Sequence, residues 1–290
     1  MKSRAVLALL TAVLVAACSS GGGATPSPSV AALPSQAATS PSAEASSAPS
    51  VKPAALTIFG AASLKGALDD AKAAYEAANP GSTITVSTDS SSALETQIEQ
   101  GAPADVFLSA DTTNPRKLVD GGFAAGGPID FAGNKLTIIV PKGNPGGIAS
   151  PADLAKPHLK VIAAGDEVPI TKYATQLVKN LAGVAGYPAD FATKYAANVA
   201  TKEDNVKSVV SKIELGEGDA GIVYITDAAA SDKVDTVDVL DEASVPATYA
   251  GVVVKASRNQ DAAKAFLDWL AGPAGQAILA KFGFLPPPDG

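Results

Sequence analysis

Four points of the chain place a turn directly before a segment with helical character, and each offers hydrogen-bond donors suited to an anion. They lie at Ser63, at the serine triplet centred on Ser91, at Val168-Pro169-Ile170 and at Asp204-Asn205-Val206. The start of a helix presents backbone N–H groups without partners and the positive end of the helix dipole, and the serines add hydroxyl groups. Convergence of these turns would form an oxyanion site that needs neither lysine nor arginine.

Each position taken alone also has an ordinary structural explanation. Ser63 is placed to cap the helix that follows it, and the triplet around Ser91 suits a helix cap as well as it suits a ligand site. Val206 is typical of a core residue at a helix start, where only its backbone could reach a ligand. Tyr224 is typical of a core aromatic residue with a satisfied hydroxyl. The functional interpretation therefore rests on the set of positions.

The elements that must position these residues are strands alternating with helices. The segments "LTIFGAA" and "TITVST" predict strands, and the segments that follow them, "SLKGALDDAKAAYEAA" and "SSALETQIEQG", predict helices. Later in the chain, "LKVIAAG" leads to a helix that begins at Pro169 and ends at Gly183. Helical spacing also relates Val206, Val209, Val210 and Ile213. The alternation predicts an α/β fold with mainly parallel sheets, whose ligand crevice lies beyond the carboxyl ends of the strands.

The first residues have the layout of a bacterial export signal. Lys2 and Arg4 precede an apolar stretch, and Val15-Ala16-Ala17-Cys18 resembles the lipobox, in which the cysteine becomes the lipidated first residue. We therefore expect residues 1–17 to be a signal peptide and Cys18 to carry a lipid that anchors the protein to the outer face of the cell membrane. Residues 18–55 are dominated by Ala, Ser, Pro, Gly and Thr, a composition that predicts a disordered linker.

Charge and residue usage exclude several classes of function. Removal of Lys2 and Arg4 from the 22 basic residues leaves 20 against 29 acidic ones, and the resulting net charge of −9 argues against nucleic acid or an anionic membrane surface as partner. His158 is the only histidine and there is no G-x-S-x-G motif, so the chain offers no nucleophile with a base and we expect no enzyme. One histidine and one cysteine also give poor support for a bare metal site.

Five segments together resemble one protein family. In chain order they are "FGAASLKGAL", "DSSSALETQIEQGAPADVFLSAD", "GDEVPITKYA", "EDNVKSVVSKIELGEGDAGIVYITDA" and "FLDWLAGPAGQAILAKFGF", spread over residues 56–286. They are similar to the extracytoplasmic molybdate-binding proteins of ABC importers, which are type II solute-binding proteins. The resemblance implies two α/β lobes joined by crossover strands, with the oxyanion held in the cleft between them. Lobe I would comprise residues 56–135 plus 248–286, and lobe II residues 136–247.

The resemblance also implies which groups bind the ligand. Ser63 and Ser91 would each give a hydroxyl and an amide, Tyr224 its phenolic hydroxyl, and Ile170 and Val206 their backbone amides. The family often has a pair of small residues after Val-Pro, whereas this chain has Ile170-Thr171, which implies a bulkier cleft wall.

The implied function is capture of molybdate, and of tungstate with it, by a monomer without a cofactor that delivers the ion to a membrane permease. A fully deprotonated oxyanion only accepts hydrogen bonds, whereas a protonated phosphate needs an acceptor, and none of the five residues is a carboxylate. Sulfate has the same charge and shape as molybdate, so a binder of another tetrahedral oxyanion is the alternative. A purely structural surface lipoprotein also stays open. A ferric-ion binder of the same architecture would need several anionic or phenolate ligands, whereas the five residues include one tyrosine and no carboxylate.

Overall fold

The computed structural model describes residues 52–288, which form two five-stranded sheets flanked by helices. The strands are β1 (Ala55–Ala61), β2 (Thr83–Asp89), β3 (Val106–Ser109), β4 (Ile129–Asn134), β5 (Leu136–Pro141), β6 (Val161–Ala164), β7 (Val199–Glu203), β8 (Ala220–Tyr224), β9 (Val234–Val237) and β10 (Ala247–Val253). The helices are α1 (Lys65–Ala78), α2 (Ser91–Glu99), α3 (Thr113–Asp120), α4 (Pro169–Ala182), α5 (Phe191–Asn198), α6 (Val206–Glu214), α7 (Ile225–Ala229), α8 (Gln260–Ala271) and α9 (Pro273–Lys281). The predicted signal peptide, Cys18 and residues 19–51 of the predicted linker lie outside the described residues.

The two sheets have the same kind of topology. The first has the strand order β2-β1-β3-β10-β4 and the second has the order β7-β6-β8-β5-β9. In the first sheet β1 pairs in parallel with β2 and β3, whereas β10 runs antiparallel to β3 and β4. In the second sheet β6 pairs in parallel with β7 and β8, whereas β5 runs antiparallel to β8 and β9. Each sheet therefore contains one strand that runs against the other four.

The predicted α/β fold is confirmed, and its sheets are mixed, with as many antiparallel as parallel neighbours. Strand and helix alternation predicts parallel pairing only within β-α-β units. The antiparallel pairs all involve β5 or β10, which are the strands that carry the chain from one sheet into the other. Their reversed direction follows from this crossover role and not from local sequence.

The chain passes between the two sheets at two places. Lys135 alone separates β4 from β5, and residues 238–246 connect β9 to β10. We call the first sheet with α1–α3, α8 and α9 lobe I, and the second sheet with α4–α7 lobe II. Ala247, which the family resemblance assigns to lobe II, is the first residue of β10 in lobe I. Every helix within residues 52–288 is too short or too polar to cross a bilayer.

Close packing of α6 against its sheet depends on a glycine. Val209 and Ile213 of α6 are fully buried on the side of the helix that packs against β6 and β8. A methyl group at Gly221 in β8 would come within 2.9 Å of Val209 Cγ1 and 3.1 Å of the Ile162 carbonyl oxygen. Gly221 therefore lets α6 lie close to the sheet, which determines where the first residues of α6 are placed.

Aromatic rings fill the junction between the lobes. Tyr249 of β10 packs edge-on against Tyr224 of β8, with ring centroids 5.6 Å apart, and against Phe284, with centroids 5.4 Å apart. The next residue, Leu285, exchanges two backbone hydrogen bonds of 2.7 and 2.9 Å with Gly133 of β4. The C-terminal segment therefore holds a ring against Tyr249 beside the crossover from β4 to β5.

Candidate functional site

Strands of both lobes end at the space between the lobes and lead there into helix starts. β1 leads into a short 3-10 helix at Ala62–Leu64, β2 into α2, β6 into α4, β7 into α6 and β8 into α7. One cavity between the lobes is lined by Ser63, Ser91, Ile170, Val206 and Tyr224, together with Ala61, Ala62, Ser90, Ala110, Val168, Pro169 and Asn205. The structure thus brings together all five residues that the sequence resemblance assigns to the ligand. The cavity volume is about 10 Å³, which is near the minimum for one water molecule and far below that of a pocket for an organic ligand.

The serine triplet divides its tasks among its three members. Ser90 is the N-cap of α2, and its hydroxyl accepts a hydrogen bond of 3.3 Å from the Ala93 amide, which confirms the predicted cap. Ser91 is only 1% exposed, and its Oγ accepts a hydrogen bond of 3.0 Å from the Ala110 amide. Because this Oγ already accepts, its own hydrogen is free to donate toward the cavity. Ser92 is half-buried, and its hydroxyl lies 3.4 Å from that of Ser90.

Ser63 is held differently from the way that its sequence position predicts. The expectation that it caps the first helix is wrong, because the 3-10 helix Ala62–Leu64 makes Leu64 the residue before α1, and α1 has no side-chain cap. The Ser63 Oγ lies instead 2.9 Å from the Tyr249 Oη. Ser63 is buried, and its hydroxyl joins the turn after β1 to β10.

Ile170 and Val206 offer backbone groups at two helix starts of lobe II. Pro169 is the first residue of α4 as predicted, so Ile170 follows it in the first turn, where amides have no partner within the helix. Val206 is the first residue of α6, and its N-cap Asn205 accepts a hydrogen bond of 3.1 Å from the Ser208 amide. Both side chains are buried in the core, so what remains for a ligand is their amides.

Thr171, which the resemblance associates with a bulkier wall, does not line the cavity. Its hydroxyl donates instead to the backbone oxygens of Ala164 and Gly165, at 3.0 and 2.8 Å. These contacts tie the first turn of α4 to the end of β6. Of the pair Ile170-Thr171, only Ile170 borders the site.

Tyr224 is a neutral donor at the end of β8. Burial raises the pKa of its hydroxyl well above the ordinary value of 10.0, and neighbouring Tyr249 is the next contributor. The hydroxyl therefore keeps its proton at any physiological pH. It lies 3.5 Å from the carbonyl oxygen of Ala110, so this residue of lobe II reaches the backbone of lobe I.

An ion pair between a buried carboxylate and a partly exposed lysine links two elements that carry donors of lobe II. Asp227 in α7 is fully buried, and its Oδ1 lies 3.0 Å from the Lys207 ammonium. Burial raises the pKa of the Asp227 carboxyl, and the charge of Lys207 opposes that rise. Lys207 follows Val206 and Asp227 comes three residues after Tyr224, so the pair connects the start of α6 to the end of β8.

The lobes touch each other around the cavity. Asn205 of lobe II donates to the Asp89 carboxylate of lobe I at 3.2 Å, and Lys172 of lobe II donates to the Thr113 hydroxyl at 2.8 Å. Such contacts describe a closed arrangement in which both lobes enclose the same small space.

The outer part of the cleft is acidic. Six carboxylate residues line it beside two lysines, Lys117 and Lys202. The carboxylate residues, which we call the acidic rim, are Asp89 and Glu95 of lobe I and Asp166, Glu167, Glu203 and Asp204 of lobe II. An anion that approaches the cavity from this side meets like charge, and its binding energy must come from the short-range donors inside.

Sequence reasoning missed two polar residues that stand directly behind the site. They are Tyr249 in β10 and Asn134 at the end of β4. Both are buried, with exposed fractions of 0% and 1%, and both belong to the hydrogen-bond network of Ser63. Their contacts join residues 115 and 186 positions apart in the chain, so no local sequence pattern predicts these contacts.

The fold and the cleft site together define a two-lobed protein with a small donor-lined cavity between its lobes. Residues 56–285 match the family described as "Bacterial extracellular solute-binding protein", and the chain belongs to that family. This finding confirms the predicted recognition at the level of the fold and of the class of protein.

Individual relatives narrow the comparison. The chain is 34% identical over 280 residues to "Molybdate-binding protein ModA" of Mycobacterium tuberculosis, which covers 96% of this chain and 97% of the relative. It is 33% identical over 237 residues to "Putative ABC transporter substrate-binding lipoprotein YvgL" of Bacillus subtilis, covering 81% of this chain and 88% of the relative. The solved "sulfate-binding protein SubI from Mycobacterium tuberculosis H37Rv" superposes with a TM-score of 0.71 at 22% identity, over 80% of this chain and 87% of that one. At that identity the last likeness concerns the fold alone.

Proposed function

We propose that this protein captures molybdate, and tungstate with it, outside the cytoplasm and delivers the ion to the permease of an ABC importer. The observation that carries the proposal is the cavity in which Ser63, Ser91, Ile170, Val206 and Tyr224 meet, all buried and all able to donate hydrogen bonds. The name and the extent of the similarity of the Mycobacterium tuberculosis relative support molybdate as the ion.

The chemistry of the lining favours an ion that carries no hydrogen. Ser63, Ser91 and Tyr224 contribute hydroxyls, and Ile170 and Val206 contribute amides from the positive ends of helix dipoles. Hydrogen bonds to a charged acceptor are worth about 1.5–3 kcal/mol each. Several of them from a buried cavity can replace the hydration of a dianion without a lysine or arginine among the lining residues.

Capture works by joining the lobes. Ser63 and Ser91 belong to lobe I, and Ile170, Val206 and Tyr224 belong to lobe II, so a single ion in the cavity contacts both. An ion that binds only when both sets of donors are close stabilises the closed arrangement by its differential affinity. The closed surface is then what the permease recognises.

The protein is proposed to act as a monomer held at the outer face of the cell membrane by lipid on Cys18. The likeness to a lipoprotein of Bacillus subtilis supports this anchor. Detergent partitioning of the full chain tests it: wild type should enter the detergent phase, and a Cys18→Ser variant should stay in the aqueous phase. Recovery of both in the same phase would reject the anchor and leave the ion proposal untouched.

Thermal unfolding of residues 52–290 with one anion at a time tests the ion proposal. At about 100 times Kd a specific ligand adds roughly 2.7 kcal/mol, which for a protein of this size raises the midpoint by about 5–10 °C. Molybdate and tungstate should each raise it, while sulfate, phosphate and citrate should not at the same concentration. A shift with sulfate in place of molybdate would transfer the mechanism to the alternative ion. No shift with any anion would reject the proposal.

A further inference from the structure

We infer that Tyr249 and Asn134 fix the direction of hydrogen bonding at Ser63, so that the Ser63 hydroxyl keeps its hydrogen for the ligand. Both are positioning residues that act through Ser63. The inference rests on the proposed function, and it adds to that function two residues that prepare Ser63 to donate.

The four side chains concerned form one buried chain. The Ser63 Oγ lies 2.9 Å from the Tyr249 Oη, and the Asn134 Nδ2 lies 3.3 Å from the same Tyr249 oxygen. The Asn134 Nδ2 also donates to the Thr226 hydroxyl at 2.9 Å. All four side chains are less than one-tenth exposed, so water cannot easily supply alternative partners.

The start of the chain can be oriented without ambiguity. The Lys135 backbone amide donates to the Asn134 Oδ1 at 2.9 Å. A backbone N–H can only donate, so the atom that it meets must be the amide oxygen, and the other atom of Asn134 must be the nitrogen. Asn134 therefore presents only donors to Thr226 and Tyr249.

The direction then passes along the chain. The Tyr249 Oη accepts from Asn134, and its single hydrogen is left for the Ser63 Oγ. Burial raises the pKa of Tyr249 well above its ordinary value, so this hydrogen stays in place. Ser63 Oγ accepts it and must point its own hydrogen elsewhere, and Ser63 lines the cavity.

The consequence concerns the affinity for any anion that accepts a hydrogen bond from Ser63. Without the Tyr249 hydroxyl, the Ser63 oxygen loses the donor that holds it, and its hydrogen is no longer directed to the cavity. Removal of the Tyr249 hydroxyl should therefore weaken molybdate binding through Ser63.

The Tyr249→Phe variant tests this point because its ring keeps its contacts with Tyr224 and Phe284. Dissociation constants for molybdate are measured at pH 7 by calorimetry or by competition. We expect the molybdate Kd to rise about tenfold. Tyr75→Phe is the matched control, since it removes the hydroxyl of another tyrosine of lobe I, whose ring packs against Phe266 and Trp269.

A double-mutant cycle separates action through Ser63 from general loosening. If Tyr249 acts through Ser63, the Ser63→Ala/Tyr249→Phe variant should bind molybdate no more weakly than Ser63→Ala alone, within about twofold. Additive losses would overturn the inference. If wild type binds molybdate and Tyr249→Phe binds it with the same affinity as Tyr75→Phe, only this inference is rejected. Wild type that binds no molybdate rejects the proposed function itself.

Discussion

The serine triplet allows the ligand assignment to be tested by three variants on adjacent residues. Ser91→Ala removes a hydroxyl that is buried in the cavity and free to donate to the ion. Loss of a hydrogen bond to a charged group costs about 1.5–3 kcal/mol, so the molybdate Kd should rise roughly 10- to 150-fold. The same change removes the acceptor of the Ala110 amide, and Ala110 is buried. Stability without ligand should therefore also fall, by about 1–3 kcal/mol.

The neighbours of Ser91 should each show a different result. Ser90→Ala removes the N-cap of α2 and should cost about 1 kcal/mol of stability, with the molybdate Kd changed by less than about threefold. Ser92→Ala removes a half-buried hydroxyl whose neighbour is the Ser90 oxygen, and both stability and affinity should stay within about 0.5 kcal/mol of wild type.

Two measurements read out the series. Titration calorimetry with molybdate gives the dissociation constants, and urea unfolding without anion gives the free energies of unfolding. The ligand role of Ser91 would be refuted if Ser91→Ala bound molybdate as tightly as wild type. It would also be refuted if Ser92→Ala lost as much affinity as Ser91→Ala, because the site would then be sensitive to α2 as a whole.

The remaining predictions concern the phenol of Tyr224, the acidic rim, one glycine and one carboxylate. Tyr224→Phe should raise the molybdate Kd about 10- to 150-fold, and wild-type affinity should be constant from about pH 7 to 9 because burial holds the pKa of Tyr224 far above that range. The association rate constant for molybdate should increase with added salt, because the acidic rim repels the ion until it is screened. Gly221→Ala should cost about 1–3 kcal/mol of stability and weaken molybdate binding, because the added methyl group pushes α6 from its sheet. Hydrogen bonds from Lys72 and from a backbone amide lower the pKa of the Glu76 carboxyl. The ionised carboxylate therefore stabilises the fold above its ordinary pKa, and this stabilisation is lost as the pH falls through the lowered pKa. Glu76→Gln should flatten that part of the curve of stability against pH.

Each of these outcomes has a direct check. Calorimetry at several pH values covers Tyr224, and an affinity that fell tenfold by pH 9 would mean that a group at the site loses a proton. Stopped-flow binding at different salt concentrations covers the rim, and an association rate that fell with salt would mean net attraction. Urea unfolding tests Gly221→Ala and Glu76→Gln. Wild-type stability of Gly221→Ala would contradict the packing described for α6, and an unchanged pH curve for Glu76→Gln would contradict the hydrogen bonds described for Glu76.

Local patterns predicted the elements of the site better than its polar network. The helical spacing after Val206 and the proline before Ile170 gave the starts of α6 and α4, because capping and φ restriction act within a few residues. The cap predicted at Ser63 is wrong because Ser63 lies inside a one-turn 3-10 helix that precedes α1, and the segment around it contains no residue that marks this turn. Tyr249 was missed because its partners are brought to it by the pairing of β10 between β3 and β4, which depends on chain segments far apart.

The position of β10 also sets the order in which the two halves of the molecule can fold. All five strands of lobe II lie in one continuous stretch, from β5 to β9, so this sheet can be completed as soon as that stretch has emerged. β10 lies between β3 and β4, so lobe I cannot be completed until residues 247–253 follow, after the whole of lobe II. Long-range pairings of this kind form late, because the entropy of closing a large loop is lost before the pairing adds favourable contacts. Lobe II therefore serves as the early folding unit of an exported chain, and the first half of the chain stays incomplete until almost its end has arrived.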